Sequence, residues 1–340
     1  MNRSTEVPDA ESGFRANATA DERVALQPGR GREAPTPWSI PLKGWWDIAR
    51  RVFDKLVEQN VTILAAGIAF FAVLALFPAL GAIVTLFALV ADPIAVSERF
   101  AELSALLPSD VASIIDRQLH KLAGQERQGL GIGLVIGLLF AIWSARRSID
   151  ALMRAVTVAY DERETRGLIH MTLISYVMTF GAILLLVLTI ALLVALPTVL
   201  AWLPLSGLVS LGANAGGWLL FFAVVMFALG VLYRHGPPRR SARVRWLSTG
   251  SVVATLLWVL GSAGFSLYVK SFGNFNETYG TLGAIVVLLL WFFVGAYSIV
   301  LGAVLNAEME HQTARDTTVG EPKPMGERGA FVADTLGEVP

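Results

Sequence analysis

The sequence predicts an all-α integral membrane protein, a bundle of six transmembrane helices with both termini in the cytoplasm. Three observations support this fold class. The chain of 340 residues is 54% hydrophobic and only 16% charged, which is more apolar than soluble domains usually are. Six apolar stretches are long enough to cross a hydrocarbon core of about 30 Å. The basic residues are concentrated in alternate connections between these stretches.

Each predicted span is apolar on all faces, as expected of a helix that satisfies its backbone hydrogen bonds internally in lipid. The predicted spans cover residues 62–91, 130–149, 168–203, 208–233, 247–269 and 281–306. The first and third spans exceed the thickness of the bilayer core, and they contain Pro78 and Pro197. We therefore expect these two helices to tilt, kink or extend beyond the bilayer.

The distribution of lysine and arginine predicts the orientation of the chain. Of the 27 basic residues, 22 lie in the two terminal segments and in the second and fourth connections, and only 5 lie in the other three connections. Because basic residues resist translocation, both termini are predicted to be cytoplasmic. The expected location is a bacterial inner membrane, which the chain crosses several times.

Two polar segments flank the predicted membrane domain of residues 38–310. Residues 1–37 and 311–340 are rich in charged residues, proline and glycine, and they contain no apolar run long enough for a signal-peptide core. This composition predicts two disordered cytoplasmic tails.

Two amphipathic segments are predicted beside the membrane. In residues 44–60, Ile48, Val52 and Phe53 share a helical face opposite Arg51 and Lys55, which is typical of an interfacial helix. A cytoplasmic extension of the first span is the alternative. Residues 92–129 are long for a connection and contain an apolar stripe, so we expect short outer helices there between spans one and two.

Charged residues near the end of the second span are candidates for function. Arg146 and Asp150 are spaced to share one helical face and could pair, and Arg147 lies beside them. Ionisable groups within a membrane are functional candidates because leaving them unpaired in lipid is costly. Extension of the arginines to the inner interface is an equally good explanation, so both remain open.

Other patterns have structural interpretations. Gly129, Gly133 and Gly137 recur every four residues, which predicts close packing within the bundle, with a homo-oligomer interface as the alternative. Residues 234–245 contain five arginines, which we interpret as a topology determinant that attracts anionic lipid headgroups at the cytoplasmic face. The loop contains no aromatic residue to stack on bases, so no nucleic-acid partner is expected.

No motif for catalysis or for a cofactor is present in the sequence. The chain has no cysteine, its four histidines lie in four different segments, and it contains no HExxH, GxSxG or GxxxxGK[ST] sequence. We therefore expect no catalytic, cofactor-binding or metal-binding residues, and no enzyme activity.

Several stretches resemble the YihY/virulence factor BrkB family of bacterial inner-membrane proteins. They are AAGIAFFAVLALFPAL (65–80), AIWSARRSIDALMRAVTVAYD (141–161), LYRHGPP and the long block at 258–310. The resemblance implies six membrane helices, in agreement with the count of spans. It also directs attention to Pro78, Tyr160 and the turn that contains Asn276, Tyr279 and Gly280, although the roles expected for that turn are structural.

The resemblance implies little about mechanism. The family that the chain resembles has carried a ribonuclease label, historically that of ribonuclease BN, which is regarded as a mislabelling. The sequence itself offers no metal site for such an activity. Its members are otherwise suggested to move lipid-like or other substrates. We expect transport or translocation of a lipid-like or small substrate, and the alternative is a non-catalytic membrane scaffold that binds a partner.

Overall fold

The computed structural model describes residues 27–90, 127–201, 207–271 and 281–340, and these residues are largely helical. Within those ranges no strand is present, and an isolated β-bridge pairs Ala242 with Thr318. The helices in chain order are α1 (Leu42–Glu58), α2 (Val61–Val90), α3 (Arg127–Ala159), α4 (Leu168–Ala201), α5 (Gly207–His235), α6 (Val244–Ser271), α7 (Thr281–Glu310) and α8 (Phe331–Asp334). A short 3-10 helix at Pro37–Ser39 precedes α1.

The six long helices α2 to α7 confirm the predicted membrane fold, because each is long and apolar enough to cross a bilayer. Two of them extend at their C-terminal ends by four residues or more beyond the predicted spans. Helix α3 continues ten residues past position 149, and α7 continues to Glu310. The charged residues in these extensions lie among alanine, leucine and methionine, which favour a helix, so the charges do not end it.

The long helices form a closed ring in which each packs against two neighbours. The order is α2, α3, α4, α5, α6 and α7, and α7 packs against α2 to close the ring. Helix α7 also contacts α1 and α3. The connections 160–167 and 236–243, α1 and residues 311–340 meet at one end of the ring, which we call the base. The predicted outer helices fall mainly in residues 91–126, which lie outside the described residues, as do residues 1–26.

Two helices at the base end with a residue in the left-handed conformation. Asn60 after α1 has φ 51°, and Asp161 after α3 has φ 54°. Asparagine and aspartate tolerate this region better than most residues. The Glu162 amide then donates to the Thr157 carbonyl over 3.1 Å, which closes the α3 terminus. The Asp161 carboxylate also pairs with Lys55 and so joins α3 to α1.

The hydrophobic core is concentrated towards the base. It includes Ile48 of α1, Val61 of α2, Val156 of α3, Trp246 of α6 and Val304 of α7, all fully or almost fully buried. The large apolar side chains nearer the opposite end of α3, α4 and α5 are mostly exposed. Such exposure fits helices that are surrounded by lipid.

Helices α6 and α7 cross where glycine allows close approach. A Cβ atom built on Gly250 would lie 2.2 Å from the Gly302 carbonyl oxygen, and one built on Gly302 would lie 2.6 Å from the Tyr233 hydroxyl. Asn306 completes the crossing, since its side chain accepts from the Gly250 amide over 2.8 Å and donates to the Leu247 carbonyl over 3.1 Å. This pair of glycines provides the close helix packing within the bundle.

The structure corrects the prediction that the glycines of α3 pack within the bundle. Cβ atoms built on Gly133 and Gly137 would meet no atom within 4 Å. Both residues lie on the part of α3 whose apolar side chains face outward, so among the described residues no helix packs against them.

Helix α1 differs in detail from the predicted amphipathic pattern. Ile48 and Val52 pack into the core, but Arg51 and Lys55 also face inward, where both bind Glu308. Phe53 is instead exposed. The exposed face of α1 carries large apolar residues, namely Leu42, Trp46, Phe53 and Val57.

Residues 311–340 differ from the disordered tail that their composition predicts. They fold across the base, where the Arg240 amide donates to Gly329 over 2.9 Å and the Gly337 amide donates to His311 over 2.8 Å. Part of the predicted N-terminal tail is also packed, since the Arg32 carbonyl accepts from the Ala314 amide over 2.7 Å. These hydrogen bonds join residues that are distant in sequence, so local composition does not reveal them.

Candidate functional site

Charged and polar side chains meet between α3 and α4. We call this set the α3–α4 polar interface, and its members are Arg146, Asp150 and Arg154 on α3 with Thr172, Ser175 and Tyr176 on α4. The three charged residues of α3 recur every four positions, so they lie along one side of the helix. The antiparallel start of α4 places its first two turns beside them.

Asp150 is the buried acid of this interface. Its side chain is 8% exposed and pairs with Arg154 over 3.3 Å, rather than with Arg146 as the sequence pattern suggests. The Ser175 hydroxyl lies 3.4 Å from the other carboxylate oxygen while donating to the Met171 carbonyl over 2.9 Å. The Arg154 side chain is half exposed, at 53%, and its guanidinium also reaches the Met171 sulfur over 3.4 Å.

Arg146 extends along α4 towards the base. The α3–α4 register places its backbone level with Thr179, but its guanidinium donates to Thr172 over 3.2 Å and lies 5.2 Å from the centre of the Tyr176 ring. Its Nε atom is buried without a hydrogen-bond acceptor. The direction of the side chain is that expected for an arginine reaching for the membrane surface. Its Nε–H is therefore a buried donor without an acceptor.

Arg147 lies beside this interface on the exposed surface of α3. Its guanidinium lies 5.6 Å from the centre of the Trp143 ring. Within the described parts of the chain, Arg147 has no carboxylate partner. The interface and its neighbour Arg147 therefore contain three arginines and one aspartate.

The charges continue an apolar stripe of α3. Ile132, Ile136, Leu139 and Trp143 are exposed, and their spacing of three and four residues leads directly to Arg146. Spacings of three and four residues keep side chains on one helical face. One exposed face of α3 is thus apolar over most of its length and charged towards the base.

The polar interface lies beyond the start of α2 along the bundle axis. Ser148, between Arg146 and Asp150, donates to the Ile68 carbonyl of α2 over 3.2 Å. Ile68 is seven residues after Val61, where α2 begins, so it lies about 10 Å along the helix axis. The charged groups are therefore not confined to the first turn of the bundle.

A second charged cluster anchors the base around the end of α7. Glu308 binds Arg51 and Lys55, the latter over 2.7 Å, and Glu310 binds Arg239 over 2.7 Å. Both carboxylate side chains are fully buried. Acidic residues at a helix C-terminus interact unfavourably with the helix dipole, and the three neighbouring cations offset this effect. Burial acts to lower the pKa of Arg239, but the Glu310 carboxylate beside it raises the pKa, and the net shift is upward.

Tyr160, singled out from the sequence, lies in this second cluster. The residue is fully buried, and the Arg239 guanidinium lies 4.6 Å from the centre of its ring. Burial is the main cause that raises the pKa of its hydroxyl. Tyr160 therefore supports the buried Arg239–Glu310 pair and is separate from the α3–α4 polar interface.

The other predicted positions are spread over the molecule. Pro78 lies inside α2, where it cannot donate to the carbonyl four residues earlier. Asn276, Tyr279 and Gly280 lie outside the described residues. The structure therefore brings together Arg146, Arg147 and Asp150 but places Tyr160 and Pro78 elsewhere.

The arginine-rich loop mostly faces the protein instead of lipid headgroups. Arg239 is buried against Glu310, Arg240 donates to the Glu321 carbonyl over 3.4 Å, and Arg243 donates to the Thr318 carbonyl over 2.9 Å. Arg245 is exposed. Two of the five arginines, Arg240 and Arg243, thus hold the C-terminal segment, and Arg239 holds the end of α7.

Within the described ranges, no group of three or more histidine, aspartate and glutamate side chains is arranged to hold a metal ion.

Comparison with known proteins identifies the family. A family model described as Virulence factor BrkB matches residues 52–326. The chain belongs to this family. The BrkB match includes α2 to α7, the α3–α4 polar interface and the arginine-rich loop, and it confirms the resemblance that the sequence motifs carry. No solved structure matches the chain.

Individual relatives of this BrkB-family chain have different names. A protein of Bacillus subtilis (strain 168), YfkH, whose name describes it as ribonuclease-like, is 30% identical over 268 residues, covering 76% of this chain and 93% of the relative. UPF0761 membrane proteins of Xanthomonas campestris pv. campestris (strain B100) and Xanthomonas axonopodis pv. citri (strain 306) are each 29% identical over 205 residues. These matches cover 58% of this chain and 44% of each relative, so the chain spans less than half of the Xanthomonas proteins.

Sequence reasoning did not identify several residues that organise the base. Glu308, Glu310 and Arg239 form buried ion pairs, although the sequence places them at the ends of spans or in a basic loop. Arg154 is the partner of Asp150, and the four-residue spacing that brings them together is visible in the sequence. That spacing could have identified the pair.

Proposed function

We propose that this BrkB-family membrane protein translocates a lipid-like amphiphile. The headgroup lies at the α3–α4 polar interface, and the tail stays beside the apolar part of α3. The observation that supports this proposal is the exposed apolar face of α3, which runs from Ile132 to Trp143 and ends at Arg146, close to the buried Asp150. An apolar surface that ends in charged groups matches the division of a lipid into tail and headgroup.

The hydroxyl groups within the bundle favour an amphiphile over a water-soluble solute. Thr179, Thr189, Ser251 and Ser298 each donate to the carbonyl four residues earlier in the same helix, over distances of 2.6 to 3.0 Å. Such intrahelical bonds satisfy the hydroxyls without water or a partner helix. These groups therefore offer little to a hydrated solute, whereas a lipid tail needs no polar partner.

The proposed orientation places the base in the cytoplasm of a bacterium, with both termini inside and the chain in the inner membrane. The excess of basic residues in the connections at the base supports this orientation. The exposed apolar residues of α1, including Trp46 and Phe53, then lie in the inner leaflet.

Translocation in reconstituted vesicles tests the proposal. Lipids with a fluorescent headgroup label are placed in one leaflet, and their movement is followed with a membrane-impermeant quencher. We expect protein-dependent movement that falls at least about tenfold in the Arg146→Gln, Arg154→Gln double variant, because two of the cations proposed to contact the headgroup are removed. Vesicles in which the native protein moves neither anionic nor zwitterionic lipid, with or without a proton gradient, would contradict the proposal.

A non-catalytic scaffold is the second candidate function. The buried ion pairs of Glu308 and Glu310 make the base a firmly joined layer, which suits a platform for a partner protein. A scaffold predicts normal assembly and no lipid movement. We do not assign ribonuclease activity to this chain, and purified protein that cleaved RNA in a metal-dependent way would contradict that view.

A further inference from the structure

We infer that the α3–α4 polar interface, together with Arg147, binds a phosphate group carried by a lipid. This inference depends on the proposed function for the choice of a lipid, but the binding site can be tested separately. Three arginines lie within four residues of one buried aspartate on α3, and one of them, Arg154, binds it. This cluster lies at the end of the exposed apolar stripe and beside α4, and it is the arrangement from which we draw the inference.

The balance of charge indicates an anionic ligand. Arg146, Arg147 and Arg154 contribute three positive charges, and Asp150 contributes one negative charge, which leaves an excess of two. The Asp150 carboxylate is nearly buried and already bound, so it neutralises only Arg154. Uncompensated charge of this kind is costly beside lipid. A ligand with one or two negative charges would remove that cost.

The balance of hydrogen bonds indicates the same class of ligand. A guanidinium has several N–H donors and no acceptor. The contacts of Arg146 are one hydroxyl and one aromatic ring, and its buried Nε has no acceptor. The contact of Arg147 is the ring of Trp143. The site therefore has unused donors, whereas the only carboxylate of the interface is already engaged by Arg154.

Phosphate suits these donors better than other anionic groups. All three cations are arginines, whose planar donor pairs bind two oxygens of a phosphate at once, while lysine acts as a point charge. The Thr172 hydroxyl accepts from the Arg146 guanidinium and keeps its own hydrogen as a further donor. A phosphate presents more acceptor oxygens than a carboxylate, so it can contact several of these groups together.

The position of the site indicates that the phosphate belongs to a lipid. The interface lies about 10 Å beyond the start of α2 along the bundle axis. The exposed residues next to it are apolar, with Trp143 on α3 and Leu173 and Val177 on α4. A free phosphate ion would have to leave water to reach this place, whereas a lipid phosphate has a tail that already occupies the apolar surface.

Binding of defined lipids to the full-length protein in detergent tests the inference. Native mass spectrometry compares phosphatidic acid, phosphatidylglycerol and phosphatidylcholine at equal molar ratios, and inorganic phosphate is added in a separate arm. We expect phosphatidic acid to bind more tightly than phosphatidylcholine, and we expect the Arg146→Gln, Arg154→Gln variant to weaken that binding at least about tenfold. An Arg146→Lys variant should retain part of the binding, since it keeps the charge but loses the planar donor pair.

Arg245→Gln is the matched control, because Arg245 is an exposed arginine of the base outside the interface. It should bind phosphatidic acid like the native protein. A thermal melt of each variant identifies any loss of folding. The single Arg147→Gln variant provides a second test of the site, because it changes an exposed residue. Equal binding of all three lipids, or an equal loss in the Arg245→Gln control, would overturn the inference. Displacement of phosphatidic acid by an equimolar amount of inorganic phosphate would overturn the choice of a lipid.

These outcomes are distinct from failure of the proposed function. Tight binding of phosphatidic acid that depends on the arginines, without movement of lipid in vesicles, would uphold the site and reject translocation. Movement of lipid without dependence on Arg146 and Arg154 would uphold translocation and reject the site.

Discussion

Removal of the charge on Glu310 should destabilise the base strongly. The Glu310 carboxylate is fully buried, binds Arg239 over 2.7 Å and accepts from the Thr317 hydroxyl over 2.7 Å. In a Glu310→Gln variant the Arg239 guanidinium, whose side chain is only 2% exposed, loses its counter-charge. Breaking a buried ion pair by removing one partner costs about 3–5 kcal/mol. The loss of stability should affect the C-terminal segment as well as the connection between α5 and α6.

The expected thermal shift follows from this energy. At about 2–4 °C per kcal/mol for a chain of a few hundred residues, the melting temperature should fall by about 6 °C or more. Tryptophan fluorescence is a suitable measurement, since Trp246 is buried at the start of α6, close to this connection. An Arg245→Met variant is the control, because it removes an exposed arginine from the same part of the base.

A double-mutant cycle separates the ion pair from other effects. Arg239→Met alone should also be destabilising, because it leaves the Glu310 carboxylate buried without its cation. The double variant should lose less free energy of unfolding than the two single variants together. The difference should exceed about 0.5 kcal/mol, which is the usual error of additivity. Single variants that each shift the melting temperature by less than about 2 °C, with additive effects, would refute the reasoning.

Three further predictions concern the packing and the pH dependence of the fold. Gly302→Ala should lower the melting temperature, because the added methyl group has a steric cost of about 1–3 kcal/mol. Gly264→Ala is the control, since a Cβ there meets no atom within 4 Å. Equal shifts in the two variants would contradict this prediction. Asp334→Ala removes the acceptor of four backbone amides in residues 326–330, so hydrogen exchange there should rise severalfold, and unchanged exchange would contradict the assigned contacts. The hydrogen bond from the arginine two residues along lowers the pKa of Glu164. That ion pair should therefore protect the connection between α3 and α4 from hydrogen exchange above about pH 4.3 and lose this effect as the pH falls further, and Glu164→Gln should abolish the dependence.

The membrane fold could be predicted from the sequence because its signal is local. Each long helix is a continuous apolar run, and such a run needs a bilayer whatever surrounds it. The ends of the helices were harder to predict. Helix α3 continues through Arg146, Arg147 and Asp150 because a helix accommodates charges when it leaves the apolar core.

The C-terminal segment could not be predicted because the contacts that order it are distant in sequence. Residues 311–340 have the composition of a flexible tail, but Arg328 is buried and donates to the Ala333 and Ala314 carbonyls over 2.6 and 2.7 Å. Arg240 and Arg243 of the basic loop hold the same segment. The pattern of residues in either segment alone gives no sign of the other.

The candidate site was predictable in part. The charges of Arg146, Arg147 and Asp150 are unusual beside an apolar run, so the sequence identifies them as candidates. Which groups pair with them depends on the register of α3 against α4, which brings Ser175 to Asp150 and Tyr176 to Arg146. Periodicity within one helix does not determine the register between two helices.

Photo-crosslinking from a single cysteine would test the central claim most directly. The chain has no native cysteine, so a Leu173→Cys variant carries one reactive thiol at an exposed position of α4, one turn from Tyr176. A photoactivatable label on that thiol, in vesicles that contain phosphatidic acid and phosphatidylcholine, should capture phosphatidic acid preferentially. The preference should disappear when Arg146 and Arg154 are both changed to glutamine. Equal capture of the two lipids, or a preference that survives the loss of both arginines, would contradict the claim that the α3–α4 polar interface holds an anionic headgroup.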